Sequence, residues 1–140
     1  MAHRAFKKTL NVQKKDCSTY GLIRYENYFE WINRAQEDFL NESGCGKKHF
    51  IAKKQILAVV SVNLTCMSPC VAGDKIVLYT KLDRVTEHSV YFSFTAIRSK
   101  TMDTVFKASK QLFMLDEEGH PMNFDHEDYM KLKANITPEI

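Results

Sequence analysis

The sequence has 140 residues, with 20 Lys and Arg against 17 Asp and Glu for a formal net charge of +3, and 44% of it is hydrophobic. That length supports one domain, residues 1–140, with one real core and no room for a second catalytic domain, so a cleft of substantial size needs a partner subunit. Charged residues at 26%, aromatics at 11%, five Gly and three Pro exclude a disordered or fibrous chain, and a charge so near neutral without a long basic run argues against a nucleic-acid partner.

The first ten residues carry the charge of an export-signal n-region, but polar Asn11, Gln13, Lys14, Lys15 and Asp16 follow where an apolar stretch belongs, so no export signal is expected. Ala5 to Gln13 alternates Phe6, Lys8, Leu10 and Val12 with polar residues, the period of a half-buried strand. From Asn27 to Leu40, Tyr28, Trp31, Ile32, Ala35, Phe39 and Leu40 fall on the stripe of an amphipathic helix, and Glu30, Asn33, Arg34, Glu37 and Asp38 take its other face. Asn41, Ser43, Gly44 and Gly46 supply the stop.

The period then changes. Phe50 to Thr65, Lys75 to Val85, Ser89 to Arg98 and Thr104 to Leu115 are rich in Val, Ile, Phe, Tyr and Thr, and Pro69, Gly73-Asp74, His88 and Ser99 to Asp103 separate them. Four strands joined by short turns pair antiparallel, with Val90, Phe92 and Phe94 facing opposite to Tyr91, Ser93 and Thr95. After a turn at Asp116 to Gly119, Asp125 is positioned to cap a last helix through Tyr129, Met130 and Leu132. The order predicts an α+β domain in which one long helix lies along the concave face of a curved antiparallel sheet of about five strands.

The longest apolar stretch, Ile56 to Val60, falls far short of the ~20 residues a membrane span requires, so the expected location is the cytoplasm. Cys17, Cys45, Cys66 and Cys70 are then reduced thiols, and the Asn-x-Ser/Thr triplets at Asn41, Asn63 and Asn135 are chance. Cys66 and Cys70 lack further ligands at a recognised spacing, so neither metal nor cofactor is expected. Four Lys-Lys doublets, at Lys7, Lys14, Lys47 and Lys53, read either as solvated surface or as a landing zone for an anion such as a nucleotide phosphate or an acidic carrier protein.

Asp16 to Trp31 reads DCSTYGLIRYENYFEW. This resembles the active-site loop and helix start of the hot dog-fold thioesterases, in particular the 4-hydroxybenzoyl-CoA thioesterase group. Their loop runs Asp-Cys-Asp-x-x-Gly-Ile-Val-x-Tyr-x-Asn-Tyr-x-x-Trp, met here by Asp16, Cys17, Gly21, Ile23, Tyr25, Asn27, Tyr28 and Trp31. The likeness continues through the strands, including the Pro-x-x-x-Gly-Asp turn at Pro69, Gly73 and Asp74. It implies a hot dog fold, assembly as a homodimer or homotetramer, and hydrolysis of an acyl thioester on CoA or an acyl carrier protein. The metabolic setting it implies is polyketide or fatty acyl metabolism.

The resemblance also assigns roles. Backbone N–H groups near Tyr25 and Asn27, at the helix N-terminus, would stabilise the oxyanion. Gly21 would either let the loop pass close to the thioester carbonyl or simply form a turn. Ser18 stands where the resembling enzymes carry their catalytic carboxylate, and a Ser hydroxyl needs a partner base to attack or to activate water. Thioesterases of enediyne polyketide pathways are similar over the same loop, with Asn at the Ser18 place, and lean on a helix Arg. Aligned without gaps that position is Gln36, with Arg34 two residues earlier. Asp16 is open to a base role or to tying the loop to backbone N–H groups, and Glu30, Glu37 and His88 rank behind it. Tyr20, with Tyr25, is the better acyl-pocket residue, whereas Tyr28 and Trp31 belong to the core stripe. Arg98 and Lys100, with Lys53 or Lys54, are placed for phosphates. The alternative to an enzyme is a binding module that keeps the acyl-thioester cleft but has lost turnover with its Asp.

Overall fold

The structure, a computed structural model, describes residues 6–137. Strand β1 (Phe6–Asn11) has the expected alternation, with Phe6, Lys8 and Leu10 half-buried and Lys7, Thr9 and Asn11 exposed. It is shorter than predicted: Ala5 lies outside the described residues, and Gln13 already belongs to a turn whose backbone N–H is held by the Asp16 carboxylate. Helix α1 (Glu26–Glu42) buries Tyr28, Trp31, Ile32, Ala35, Phe39 and Leu40, together with Gln36. It stops at Ser43, where Gly44 takes a φ of +78° that an L side chain resists.

The stretch predicted as one strand from Phe50 to Thr65 is two elements. A short helix α2 (Lys47–Ala52) precedes β2 (Ile56–Cys66). Phe50, Ile51 and Ala52 are an apolar run too short for periodicity to tell helix from strand, and tertiary burial of Phe50 decides for helix. Lys54, at φ +62°, then turns the chain into the strand. β3 (Lys75–Val85), β4 (Ser89–Arg98) and β5 (Thr104–Leu115) fall where predicted. All pairings are antiparallel in the order β1-β3-β4-β5-β2, which leaves β1 and β2 as edges.

α1 packs on the concave face. Val90, Phe92 and Phe94 of β4 are buried while Tyr91, Ser93 and Thr95 are only partly covered, so the period-two reading of that strand holds. Tyr28 packs on Phe106 with ring centroids 4.6 Å apart and planes tilted by 35°, and Phe39 meets Phe92 edge-on at 5.4 Å. Each such ring contributes about 1.5–3 kcal/mol by leaving water.

Helix α3 (His126–Ala134) closes the far corner. Its N-cap residue is Asp125, as predicted, but the Asp125 carboxylate makes no capping bond and instead accepts Lys53 Nζ at 2.8 Å. Fully buried Asp128 accepts the same Nζ at 2.7 Å and bonds His49 Nε2 at 2.8 Å, which pins α3 to α2. Beyond it, Thr137 exchanges bonds with the backbone of Leu82.

Candidate active site

Between β1 and α1 the chain makes a short 3-10 turn (Lys14–Asp16) and then doubles back through a tight turn. Asp16 holds both ends of the first turn. Its carboxylate accepts the Gln13 N–H at 2.9 Å, while its carbonyl accepts the Arg24 N–H at 3.0 Å and Asn27 Nδ2 at 2.9 Å. Asp16 thus performs the loop-tying role that a turn acid ordinarily takes, through one oxygen of its carboxylate. The Arg24 guanidinium adds a bond to the Lys15 carbonyl at 3.0 Å.

The second turn is closed by Ser18 N–H to Leu22 O at 2.7 Å and Gly21 N–H to Ser18 O at 2.9 Å. Gly21 sits at φ +82°, and a Cβ built on it meets nothing within 4 Å. Backbone conformation, not crowding inside the chain, therefore requires glycine here. The Ser18 hydroxyl is engaged locally, accepting the Tyr20 N–H at 3.2 Å.

What holds this loop lies in the β2–β3 connection. Ile23 N–H donates to Cys70 O at 2.9 Å, and Leu22 bridges Val71. That connection is clamped by Arg98, whose Nη1 reaches Asp74 at 2.9 Å, Nε reaches Asp103 at 3.1 Å, and Nη2 reaches Ser68 Oγ and the Pro69 carbonyl at 2.8 and 2.9 Å. Arg98, expected from its charge to meet phosphate, is bonded within the protein here. All its donor nitrogens are committed to the protein, and the side chain works as a brace beneath the loop. Below Cys70, burial pushes its thiol up in pKa, and the same burial, followed by the bond to Cys70, drives the Tyr28 phenol far above its usual range.

The helix start is where unsatisfied groups collect. The Asn27 and Tyr28 N–H groups donate to the carbonyls of Arg24 and Tyr25 at 3.0 Å each, so the oxyanion role expected of the Asn27 amide is not open to it in this conformation. Asn27 serves through its side chain, as the staple to Asp16. The N–H groups of Tyr25 and Glu26 have no acceptor among the described residues, and the first amides of a helix point outward with the positive end of its dipole. On the loop and on the connection it bridges, apolar side chains are exposed: Tyr20 at 91%, Tyr25 at 60%, with Leu22 and Val71. Tyr20 and Tyr25 thus form a rim, not the wall of a closed pocket.

The remaining expected residues are dispersed. Arg34 forms an exposed pair with Glu30 at 2.6 Å and lines a depression of about 260 Å³ on the β1 side, shared with Asp16, Asn27 and Trp31. Lys100 is exposed in the β4–β5 turn, Lys53 belongs to the Asp128 corner, and His88 packs edge-on against Phe113. Among the described residues, the donor atoms of Cys45, His49 and Asp128 lie within 4.8 Å of one another, but both Asp128 oxygens are already bonded, and burial pushes the Cys45 thiol up to about 11.

Sequence reasoning missed Lys110. It is 4% exposed, reaches Asn33 Oδ1 of α1 at 2.7 Å, and burial draws its ammonium down to about 8. The signal was present: Phe106, Ala108, Lys110, Leu112 and Met114 share the inward phase of β5.

No known family profile matches the chain. Its fold is shared with solved structures at low identity. A hypothetical protein from Staphylococcus aureus, solved in complex with CoA, superposes with a TM-score of 0.89 at 14% identity, over 100% of this chain and 90% of that one. The 1,4-dihydroxy-2-naphthoyl-CoA thioesterase from Synechocystis gives 0.84 at 12% identity, over 96% and 99%. The dynemicin thioesterase, crystallised in a study of polyene binding, gives 0.80 at 18%, over 94% and 96%. The chain therefore has the hot dog fold. Among the described residues, no helix is long and apolar enough to cross a membrane.

Proposed function

We propose that this chain is an acyl thioester hydrolase acting on acyl-CoA or acyl-carrier-protein thioesters. The observation that carries this reading is the start of α1, where the Tyr25 and Glu26 amides have no acceptor among the described residues and Tyr20, Leu22 and Tyr25 of the preceding loop are exposed. Two preorganised donors at a helix N-terminus suit an oxyanion better than a ground-state carbonyl. Water adds to the thioester carbon, the oxyanion gathers at these amides, the C–S bond breaks, and the departing thiolate takes a proton to leave acid and free thiol. Ser18 and the second oxygen of Asp16 are the loop's own groups for holding the water. Exposed Lys14, Lys15 and Arg24 flank the loop and attract the phosphates of the thiol carrier. The named thioesterases that share the fold support this chemistry.

The rim needs a cover, and β2 offers an open edge, so the working unit is a homodimer or a pair of dimers. A solution mass of only 16.2 kDa at micromolar concentration would overturn that assembly. One observation favours a second reading, a non-catalytic acyl-thioester binding module: the Ser18 hydroxyl and one Asp16 oxygen are both spent on local N–H groups. Free-thiol release from a panel of acyl-CoA and acyl-carrier-protein thioesters separates the two. Turnover establishes the hydrolase, and saturable binding without thiol release establishes the module.

A further inference from the structure

A cavity of about 380 Å³ opens between the second half of α1, α2 and the start of β2. Leu40, Phe50, Ile51, Ile56 and Leu57 give it apolar walls, two amides, Gln36 and Gln55, stand among them, and Glu37 and Lys47 complete the lining. Gln36 is 8% exposed and Gln55 5%, yet the side-chain carbonyl oxygen of each is buried without a hydrogen-bond partner. Folded proteins pair such atoms almost without exception, because each orphan costs about 1–3 kcal/mol. Nearby, the Lys53 ammonium holds the Asp125 carboxyl below the usual carboxylate range, with a smaller contribution from Gln55. The Gln55 oxygen is thus a buried acceptor without a donor in a residue that lines the cavity.

A row of β2 side chains runs along the concave face from this cavity toward the site loop, with Lys110 of β5 opposite Val62 at its middle. Leu57, Val59, Val62, Leu64 and Cys66 of β2 pair with inward-facing residues of β5 and so share the concave face of the sheet. None of them is buried. At its far end the track reaches Cys66 and Met67, which precede the segment that holds the loop. From Glu26 to Gln36 the helix rises about 15 Å, and an extended chain with bonds of about 1.5 Å covers that distance in roughly twelve atoms.

Resting on the thioesterase reading, the geometry points to this cavity as the terminal acyl subsite, specific for long acyl chains that carry a hydroxyl donor near the end remote from the thioester. The track accepts the methylene chain, and one of the two carbonyl oxygens accepts the hydroxyl proton. A plain alkyl end leaves both oxygens unpaired, so the preference is for a donor and not merely for length.

The test compares dodecanoyl-CoA with 12-hydroxydodecanoyl-CoA. Free-thiol release should favour the hydroxylated substrate about tenfold in kcat/KM, the worth of one good hydrogen bond. In Gln36→Leu/Gln55→Leu the preference should vanish while turnover of dodecanoyl-CoA persists. Equal rates on the two substrates in the parent, or a preference that survives the double substitution, would overturn the proposal. If neither thioester releases thiol, the hydrolase reading fails separately, and calorimetry with the free acids still decides: tighter binding of 12-hydroxydodecanoate, lost in the double variant, sustains the subsite, and equal binding removes it.

Discussion

The two ends of α1 are built on opposite principles. At its C-terminal end, near α2 and α3, charge is buried and matched: Asp128, fully buried, takes Lys53 on one oxygen and His49 on the other. At its N-terminal end polar groups are left over and apolar ones are exposed: the Tyr25 and Glu26 amides have no acceptor among the described residues, and the Tyr20 and Tyr25 side chains are exposed. A closed network fixes geometry, whereas an open one has capacity for something outside the chain. The contrast separates residues that hold the molecule together from residues that can do chemistry, a division that residue type alone does not make. Arg98 and Lys53 look like phosphate ligands by charge but belong to the closed class, since their donors are spent inside the protein.

The largest expected effect breaks the closed end. Lys53→Met leaves the Asp128 carboxylate buried with only His49 opposite, and removing one partner of a buried pair costs about 3–5 kcal/mol, here toward the lower figure because Lys53 is itself about one-third exposed. A chemical denaturation curve at pH 7.5 should show the loss as a lower unfolding midpoint. An unchanged unfolding midpoint would mean that the corner is not closed by this pair.

Lys110 tests the middle of the helix. Its folded pKa of about 8 lies below the unfolded value of 10.5, so between those values the unfolded chain binds more protons and stability rises with pH. Below about pH 8 both states are protonated and the cost of the buried charge is constant. Lys110→Met removes that cost, giving about 2 kcal/mol of added stability near pH 7. The parent should then gain about 1 kcal/mol more than the variant between pH 7 and 9, since the contribution of Cys45 is common to both. Parallel stability profiles would show that Lys110 is solvated.

Gly21→Val sharpens the open end. A β-branched residue at φ +82° is a backbone outlier, so the turn between Ser18 and Leu22 must shift and carry the Tyr25 amide with it. Turnover should fall at least about a hundredfold, in line with loss of an oxyanion donor. Folding should survive, because no atom crowds the added side chain. Full thiol release in a folded variant would place the site elsewhere.

What the sequence revealed follows from which forces are local. Period-two and helical stripes record burial along one segment, so β3, β4, β5 and the apolar face of α1 were legible residue by residue. α2 was not, because its three apolar residues have no period, and Phe50 is buried in a core that includes Phe124, far along the chain before α3. The site loop was legible through its likeness to a known motif. Its supports were not: the brace from Arg98 to Asp74 and Ser68, and the pairing of Lys53 with Asp128, join residues far apart in sequence. Gln36 was half legible, lying within the stripe of Ile32, Ala35, Phe39 and Leu40, where a polar residue has to be either exposed or in need of a donor.

Ser18 carries the smallest expected effect and the finest distinction. Its hydroxyl accepts the Tyr20 N–H, and Ser18→Ala frees that amide in an exposed turn where water replaces the oxygen, so structure should hold and turnover should drop by about tenfold at most. Ser18→Asp puts a carboxylate on the turn that precedes the helix start, where an ionised group can serve as a base. If the parent hydrolyses through water held by weak polar groups, the Asp variant should be faster and should lose rate as pH falls through the carboxylate range, a dependence absent in the parent. If the parent only binds, Ser18→Asp should be the first form to release thiol. Rates unchanged by both substitutions would move the base from Ser18 to the uncommitted oxygen of Asp16, and Asp16→Asn, which keeps an acceptor for the Gln13 N–H, would then be the variant that abolishes turnover.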